Sequence, residues 1–166
     1  MRRPTGDDAT AMGAVHVDGW RWGYRGLMPD DFLASMVVGE RTAMWSTVLD
    51  NKAHARGVFV AEDETNEIVG FVSVYAIIDR PGVWELPSIY VAERVAGAGY
   101  GGALMDRAIE HVRAEGGTAM ELWVLDTNEA TRSFYEHKDW HLVDGATQTD
   151  EVWGIAVSEI RYRLDL

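Results

Sequence analysis

ELPSIYVAERVAGAGYGGALMDRAIEHVRAEGG, residues 85–117, contains the local patterns on which the predicted fold of this chain mainly depends. It begins with an apolar run of strand length, 86–91. A loop with four glycines within six residues follows, and apolar residues then recur at helical spacing until Gly116 and Gly117 end the pattern. The stretch therefore predicts a strand, a glycine-rich loop and an amphipathic helix in direct succession.

The junction between this loop and the helix is a candidate anion site. Glycine lets the backbone pass close to a ligand, and the first-turn N–H groups and dipole of a helix favour a phosphate. A tight turn without a ligand would also use glycine, but it needs fewer than the four at Gly97, Gly99, Gly101 and Gly102. We therefore predict phosphate binding here.

The length and charge of the chain limit its class. At 166 residues it is expected to form one domain, 1–166, with a sizeable core. Its 15 basic and 27 acidic residues give a net charge of −12, which argues against nucleic acid or an anionic membrane as a partner. This acidity fits a cationic or amine substrate, and it also fits solubility alone.

Several chemistries are excluded or disfavoured. The chain has no cysteine, so it has no disulfide, thiol nucleophile or thiolate metal site. Its histidines are scattered, and a helix is expected to end between His137 and His141, so no metal site is predicted. Residues 4–8 lack the apolar core of a signal peptide, and the longest apolar-rich run, 68–78, is too short to span a bilayer. A cytoplasmic location is the expectation.

The first 50 residues are predicted to be mainly helical. Apolar residues at helical spacing predict a helix over 12–20, and further helices are predicted over 29–38 and 40–49. The aromatic-rich segment 20–30, broken by glycines and a proline, is expected to be a helix end and a loop. Its aromatic residues either pack in or over the core or line a substrate pocket. By default, tryptophans belong to the core or an interface, here Trp20, Trp22, Trp84, Trp123 and Trp153.

From residue 57 the pattern changes to strands. An antiparallel hairpin is predicted, and the central strand 86–91 should pair antiparallel with it. The glycine-loop helix then crosses over to a strand parallel to the central one. The remaining predicted elements are the hairpin strands 58–61 and 68–78, the parallel strand 119–125, a helix over 129–138 capped by Asp126, Thr127 or Asn128, and closing strands 140–143 and 155–164. This order predicts an α+β fold, a mostly antiparallel sheet with one parallel central pair, flanked by helices.

The loop also matches GxGxxG, the dinucleotide fingerprint, from Gly97 to Gly102. A dinucleotide-binding domain needs repeated βαβ units, whereas here an antiparallel hairpin precedes the loop and a single crossover follows. A dinucleotide-binding oxidoreductase is therefore the weaker alternative.

The segment resembles the GCN5-related N-acetyltransferase family instead. The matching residues cover most of 57–145: Ile89-Tyr90-Val91, the loop from Ala96 to Gly101, Leu104-Met105, Asn128, and Ser133-Phe134-Tyr135-Glu136. The resemblance implies an acyl-coenzyme A-binding core at about 57–145, with a helical segment at about 7–50 on the acceptor side. The activity it implies is transfer of the acetyl group of acetyl-CoA to a primary amine.

Two positions depart from the family pattern. Ala96 stands where the family usually has Gln or Arg, so pyrophosphate binding is expected to rest on backbone N–H groups and to be weaker; Arg94 is either a partial replacement or a solvated charge. Lys138-Asp139-Trp140 stands where the family often has Leu-Gly-Phe. Asp139 is therefore expected at a left-handed helix end, a conformation that suits Gly better.

The resemblance also implies roles for individual residues. Ile89 and Val91 would offer backbone groups to the pantetheine arm, with the Val91 N–H donating to the thioester carbonyl, and Asn128 would bind the arm or only cap its helix. The pyrophosphate would lie on Ala96, Gly97, Ala98, Gly99, Tyr100, Gly101 and Gly102. Tyr135 is the predicted general acid, because a phenol with a pKa of ~10 is neutral and can donate to a thiolate.

Glu85 is the candidate base, acting directly or through a water, or it is a surface carboxylate. Trp20, Tyr24 and Trp84 are candidates for lining the acceptor site. The resemblance and the seven tryptophans also suggest a homodimer. A second alternative is an acyl-CoA sensor without catalysis; the presence of Tyr135 argues against it, and Ala96 favours it.

Overall fold

A computed structural model of the protein describes residues 1–152 and 154–166, so Trp153 lies outside the described residues. Within this range the helices and strands have the following bounds: α1 (Ala9–Gly23), α2 (Asp30–Ser35), α3 (Val38–Asp50), α4 (Lys52–Ala55), β1 (Val58–Glu62), β2 (Ile68–Ala76), β3 (Val83–Val91), α5 (Tyr100–Ala114), β4 (Ala119–Leu125), α6 (Glu129–Glu136), β5 (His141–Val152) and β6 (Ile155–Asp165), with single 3-10 turns at Gly6–Asp8 and Glu93–Val95. No helix within the described part of the chain is both long and apolar enough to cross a membrane.

The strands form one sheet in the order β1-β2-β3-β4-β6-β5. β3 and β4 run parallel, and the β1–β2, β4–β6 and β5–β6 pairs are antiparallel. This arrangement confirms the predicted α+β fold with a mostly antiparallel sheet and one parallel pair. The crossover helix α5 and strand β4 also lie where the sequence predicts them.

Other boundaries differ from the prediction. The helix predicted over 29–38 ends at Ser35, because the Arg21 guanidinium donates to the carbonyls of Leu33, Ala34 and Met36 and so satisfies the end of α2. Met36 and Val37 are extended, and α3 begins at Val38 instead of residue 40. α4 was not predicted.

Strand bounds also needed correction. β3 begins at Val83 rather than 86, since its first residues pair with β4. β5 extends to Val152 rather than 143 because it pairs with β6 along its length, with an irregularity between Leu142 and Thr147. Most residues of this extension are polar, and those from 144 to 151 are mostly exposed, so they carry no apolar alternation from which a strand could be predicted.

By its internal contacts the chain divides into two compact units. The first comprises Met1–Tyr75 and Ser88–His111. Its core packs α1 and α3 on the β1–β2 hairpin, and its buried members are Ala9, Met12, Val15, Trp45, Val58, Val60 and Phe71. α1 approaches α3 closely at Gly13, where a Cβ would lie 2.7 Å from the Thr42 hydroxyl oxygen. This contact explains why a glycine interrupts an otherwise regular helix.

The second unit comprises Ala76–Pro87 and Val112–Leu166. Within it, β4 pairs with Val83, Trp84 and Glu85 of β3 on one side and with β6 on the other. α6 packs on the sheet through Tyr135, whose ring lies 6.2 Å from that of Tyr162. The prediction that 1–166 forms a single domain stays a prediction.

Candidate active site

The glycine loop begins directly after β3 and the 3-10 turn Glu93–Val95. Gly97 has φ 79° and Gly99 has φ 90°, the left-handed region that disfavours other residues. A Cβ at either position would meet no atom within 4 Å. The loop therefore needs glycine here for its backbone conformation and has open space beside it, which suits the close approach of a ligand.

The backbone donors of the loop divide into two groups. The N–H groups of Ala96 and Ala98 donate to the carbonyls of Glu93 and Val95 at 3.0 and 3.1 Å, so they are already engaged within the turn. The Ala103 N–H donates to the Gly99 carbonyl at 3.0 Å as the first α-helical bond at the start of α5. The first-turn N–H groups of Tyr100, Gly101 and Gly102 thus point out of the helix N-terminus, as an anion site requires.

Arg94 does not replace the family's usual polar residue at position 96. Its guanidinium forms ion pairs with Asp63 and Glu67, each at 2.8 Å, across the β1–β2 turn. Hydrogen bonds from Thr65 and Arg94 lower the pKa of Asp63. The side chain of Arg94 therefore ties the 3-10 turn to the hairpin.

The backbone N–H and C=O groups at the end of β3 point in defined directions. The Ala92 N–H donates to the Val69 carbonyl of β2 at 2.8 Å, and backbone groups alternate along a strand, so those of Ile89 and Val91 point away from β2. On that side the indole Nε1 of Trp22 donates to the Val91 carbonyl at 2.9 Å. This bond is a feature that sequence analysis missed, because no local pattern joins the end of α1 to the end of β3.

α1, α2 and β3 bring a group of aromatic residues together beside this strand. The ring of Trp20 lies 4.4 Å from that of Tyr24 and 5.9 Å from that of Phe32, and the Tyr24 and Tyr90 hydroxyls are 3.4 Å apart. The Trp20 Nε1 is buried without a hydrogen-bond partner among the described residues. Two of the three predicted acceptor residues, Trp20 and Tyr24, are therefore neighbours.

Trp84 and Glu85 lie in the second unit, on opposite faces of β3. The Trp84 indole packs against Gly117, where a Cβ would approach it to 2.8 Å. Glu85 lies opposite Glu121 of β4 in the parallel register, and Arg80 interacts electrostatically with both carboxylates. That Trp84 lines the acceptor site and that Glu85 acts as the base both stay predictions.

Glu121, next to Glu85 in the sheet, is a buried carboxylate that sequence analysis missed. Arg80 binds it with two hydrogen bonds, and Arg163 and Arg161 approach it at 2.8 and 3.4 Å. The Arg80 hydrogen bond holds the pKa of Glu121 below its usual value despite burial. A single glutamate within the apolar strand AMELWVL is the signal that could have indicated it.

Asn128 and Tyr135 belong to α6. Asn128 is buried and its side-chain oxygen accepts the Thr131 N–H at 3.2 Å, so it is the residue that caps the helix, rather than Asp126 or Thr127. Tyr135 is only 5% exposed, and its ring lies 5.9 Å from that of Trp140. Asp139 has φ 63°, which confirms the expected left-handed residue after this helix.

No group of three or more His, Asp or Glu side chains within residues 1–152 and 154–166 is placed to hold a metal ion.

Tyr162 lies close to Tyr135. The Tyr162 hydroxyl donates to Glu136 at 2.5 Å, and burial raises the pKa of Tyr162. Tyr162 belongs to the same unit as Tyr135, and its hydroxyl is engaged by residues to which no catalytic role is assigned.

Comparison with known proteins agrees with this arrangement. The family model of the acetyltransferase (GNAT) family matches residues 26–140. The uncharacterized N-acetyltransferase YuaI of Bacillus subtilis strain 168 is 30% identical over 156 residues, which cover 93% of this chain and 86% of that protein.

Two solved structures share the fold. The PaiA N-acetyltransferase of Thermoplasma acidophilum in complex with coenzyme A superposes with a TM-score of 0.76 at 16% identity, over 99% of this chain and 97% of the other. The structure of yncA from Salmonella typhimurium with its cofactor acetyl-CoA gives 0.69 at 19% identity, over 99% and 92%. The match of the family model and the full-length similarity to a curated relative place this chain in the GNAT family of N-acetyltransferases.

Proposed function

We propose that this protein transfers the acetyl group of acetyl-coenzyme A directly to a primary amine of a small molecule or a peptide. The observation that carries this proposal is the loop in which Gly97 and Gly99 hold left-handed backbone directly before the N-terminus of α5. Structures of the same fold, the PaiA enzyme and yncA, contain coenzyme A and acetyl-CoA, which supports this choice of acyl donor.

Backbone geometry supports a choice of binding residues. The N–H groups of Gly97, Gly99 and the first turn of α5 would hold the pyrophosphate, with Ala96 and Ala98 shaping the loop through their own bonds. Backbone groups of Ile89 and Val91 would pair with the pantetheine arm, as a neighbouring strand would. The amide of Asn128 would bind the arm in addition to capping α6.

The reaction forms a bond between the amine nitrogen and the thioester carbonyl carbon and breaks the carbon–sulfur bond. The Val91 N–H would stabilise the negative charge that develops on the carbonyl oxygen. Glu85, directly or through a water, would accept the proton that the amine loses, and Tyr135 would protonate the departing thiolate. Acetyl-CoA supplies the activated acyl group, and these residues supply the orientation and the proton transfers.

Trp20 and Tyr24 are the proposed walls of the acceptor site. Aromatic faces attract cations and pack against apolar groups, and the net charge of −12 favours the approach of a cationic substrate. Trp84 is the less favoured third member, because its indole packs against Gly117 on the face of β3 opposite Glu85. A cytoplasmic location and a homodimer complete the proposal; light scattering of the purified protein tests the dimer.

The first test is release of free thiol from acetyl-CoA against a panel of amines, beside a thermal-shift titration of acetyl-CoA. Binding together with turnover on at least one amine supports the proposal. Binding without turnover across polyamines, aminoglycosides, amino acids and peptides would favour the acyl-CoA sensor. The absence of a thermal shift at saturating acetyl-CoA would contradict the role of the glycine loop.

Glu85→Gln tests the base. If Glu85 accepts the proton, this variant loses the limb of the pH–rate profile in which activity rises as the base deprotonates. Retention of that limb with a normal rate would remove Glu85 from the mechanism and leave a water as the acceptor.

A further inference from the structure

Trp22 connects the last turn of α1 to the residue that the proposed reaction uses as an oxyanion donor. Its indole Nε1 donates to the Val91 carbonyl at 2.9 Å, a distance typical of a well-formed hydrogen bond. Trp22 is half-buried, and sequence analysis placed it in the core or an interface by default. The contact is thus a specific polar one, beyond packing alone.

The bond completes the restraint of the peptide that follows Val91. The N–H of that peptide, which belongs to Ala92, donates to the Val69 carbonyl at 2.8 Å, while its carbonyl accepts from Trp22. The carbonyl of Tyr90, in the preceding peptide, points towards β2, where a Cβ on Gly70 would lie 3.0 Å from it. The N–H of Val91 therefore points away from β2, to the same side as Trp22.

α1 is itself held firmly at this point. The Asp18 carboxylate accepts the Glu93 N–H at 2.7 Å, and Gly19 packs against the ring of Tyr90. Arg25 pairs with Glu93 at 3.1 Å. The packing of Gly19 on Tyr90 and the Arg25–Glu93 pair remain when the Asp18 bond is removed, so the Trp22 donor keeps a fixed support without Asp18, as precise orientation of a reacting group requires.

From this geometry we infer that Trp22 is a positioning residue of the acetyl transfer, which fixes the direction of the Val91 N–H through a hydrogen bond to the Val91 carbonyl. The inference rests on the proposed function, since Val91 has this task only if a thioester is bound. Small errors in the direction of such a donor reduce the rate strongly and change binding little, because the charge on the oxygen develops mainly in the transition state.

Trp22→Phe removes the donor and keeps an aromatic ring. We expect kcat to fall by about 10-fold while the dissociation constant of acetyl-CoA changes by less than about 2-fold. The matched control is Asp18→Ala, which removes another tether between α1 and the end of β3 without touching Val91. Trp22→His, which retains a ring N–H two bonds from the ring's attachment point, should recover part of the rate.

A spectroscopic readout separates positioning from stability. Infrared difference spectra of acetyl-CoA labelled with ¹³C at the thioester carbonyl report the hydrogen bond to that oxygen. The stretch should shift to lower frequency on binding to the wild type and to Asp18→Ala, and shift less on binding to Trp22→Phe. Equal shifts in all three proteins, or equal losses of kcat in Trp22→Phe and Asp18→Ala, would overturn the inference.

The same series keeps the two proposals apart. A wild type that neither binds acetyl-CoA nor releases thiol would overturn the proposed function and, with it, this inference. A wild type that binds and turns over, with a Trp22→Phe variant of unchanged kcat, would overturn the inference alone. Should Trp22→Phe unfold, Trp22→His takes its place: its carbonyl shift and kcat should lie below those of the wild type and of Asp18→Ala, because the smaller ring places its donor less accurately. Wild-type values for both quantities in Trp22→His would then overturn the inference.

Discussion

The indole Nε1 of Trp45 donates a hydrogen bond to Nδ1 of His16 at 3.3 Å. His16 is 7% exposed, and its ring stacks on that of Tyr90 with 4.9 Å between centroids. Burial, reinforced by the positive charge of Arg41, lowers the pKa of His16 to about 3. The histidine is therefore neutral in the folded protein, with its proton on Nε2, because Nδ1 accepts a hydrogen bond.

This burial predicts that the protein loses stability in mild acid. In the unfolded chain the pKa of histidine is about 6.5, so protons bind the unfolded state preferentially as the pH falls below that value. The contribution of neutral His16 is complete above pH 6.5 and declines towards pH 3, by at most ~1.4 kcal/mol per pH unit. Urea unfolding between pH 7.5 and 5 measures it.

His16→Asn is the control, because its side-chain oxygen can accept from Trp45 without titrating. Its stability should vary less with pH between 6.5 and 5 than that of the wild type. The comparison stops at pH 5, since carboxylates add their own losses in stronger acid; a hydrogen bond from Arg2, for example, lowers the pKa of Asp8 to about 2. Parallel curves would show that His16 does not carry the effect.

Gly97→Ala should weaken acetyl-CoA binding by about 10-fold or more. The left-handed backbone at residue 97 costs a residue with a Cβ roughly 1–2 kcal/mol, and the loop relieves this strain by moving its N–H groups. Titration calorimetry with coenzyme A measures the affinity.

Gly145→Ala provides the matched control. Gly145 has φ 70° and open space around its Cβ position, so it carries the same backbone strain in β5 and belongs to no proposed binding group. It should lower the melting temperature to a similar degree and leave coenzyme A affinity unchanged. Equal affinities for Gly97→Ala and Gly145→Ala would contradict the pyrophosphate role of the loop.

Tyr135→Phe should reduce turnover by about ten-fold or more with little change in acetyl-CoA affinity, because it removes only the proposed proton donor. Tyr162→Phe is the comparison, as that hydroxyl binds Glu136 and Arg132 in the same unit. We expect Tyr162→Phe to lower stability by about 1 kcal/mol and to keep its turnover. Steady-state kinetics and thermal unfolding of both variants are the measurements. Unchanged turnover in Tyr135→Phe would make Tyr135 a core residue.

The elements that the sequence predicted best are those determined by local chemistry. β4 has the predicted bounds, and Gly116, with φ 79°, follows the end of α5 as predicted. Both depend on residues that are close in sequence: an apolar run bounded by turn residues, and a glycine that adopts left-handed backbone. The backbone conformation of the glycine loop belongs to this group, since the left-handed residues Gly97 and Gly99 are both glycines.

The features that escaped prediction depend on residues distant in sequence. α2 ends at Ser35 because Arg21 reaches its carbonyls from α1. β5 gains its length from pairing with β6, and Glu121 tolerates burial because three arginines converge on it. Trp22 acquires a polar role only when α1 lies against β3. No local periodicity encodes such contacts, so they required the three-dimensional structure.

Asp139→Gly should stabilise the protein by about 1 kcal/mol, which corresponds to a rise in melting temperature of roughly 2–4 °C for a chain of this size. Asp139 has φ 63° at the end of α6, and the following Trp140 N–H donates to the Tyr135 carbonyl at 3.1 Å, a helix end that glycine forms without strain. Asp144→Gly, at an exposed residue within β5, is the matched control and should be neutral or destabilising, because glycine weakens a strand. Differential scanning calorimetry separates the two. A gain of the same size at both positions would assign the effect to the lost negative charge, since the chain carries −12, and would remove backbone strain at Asp139 as its cause.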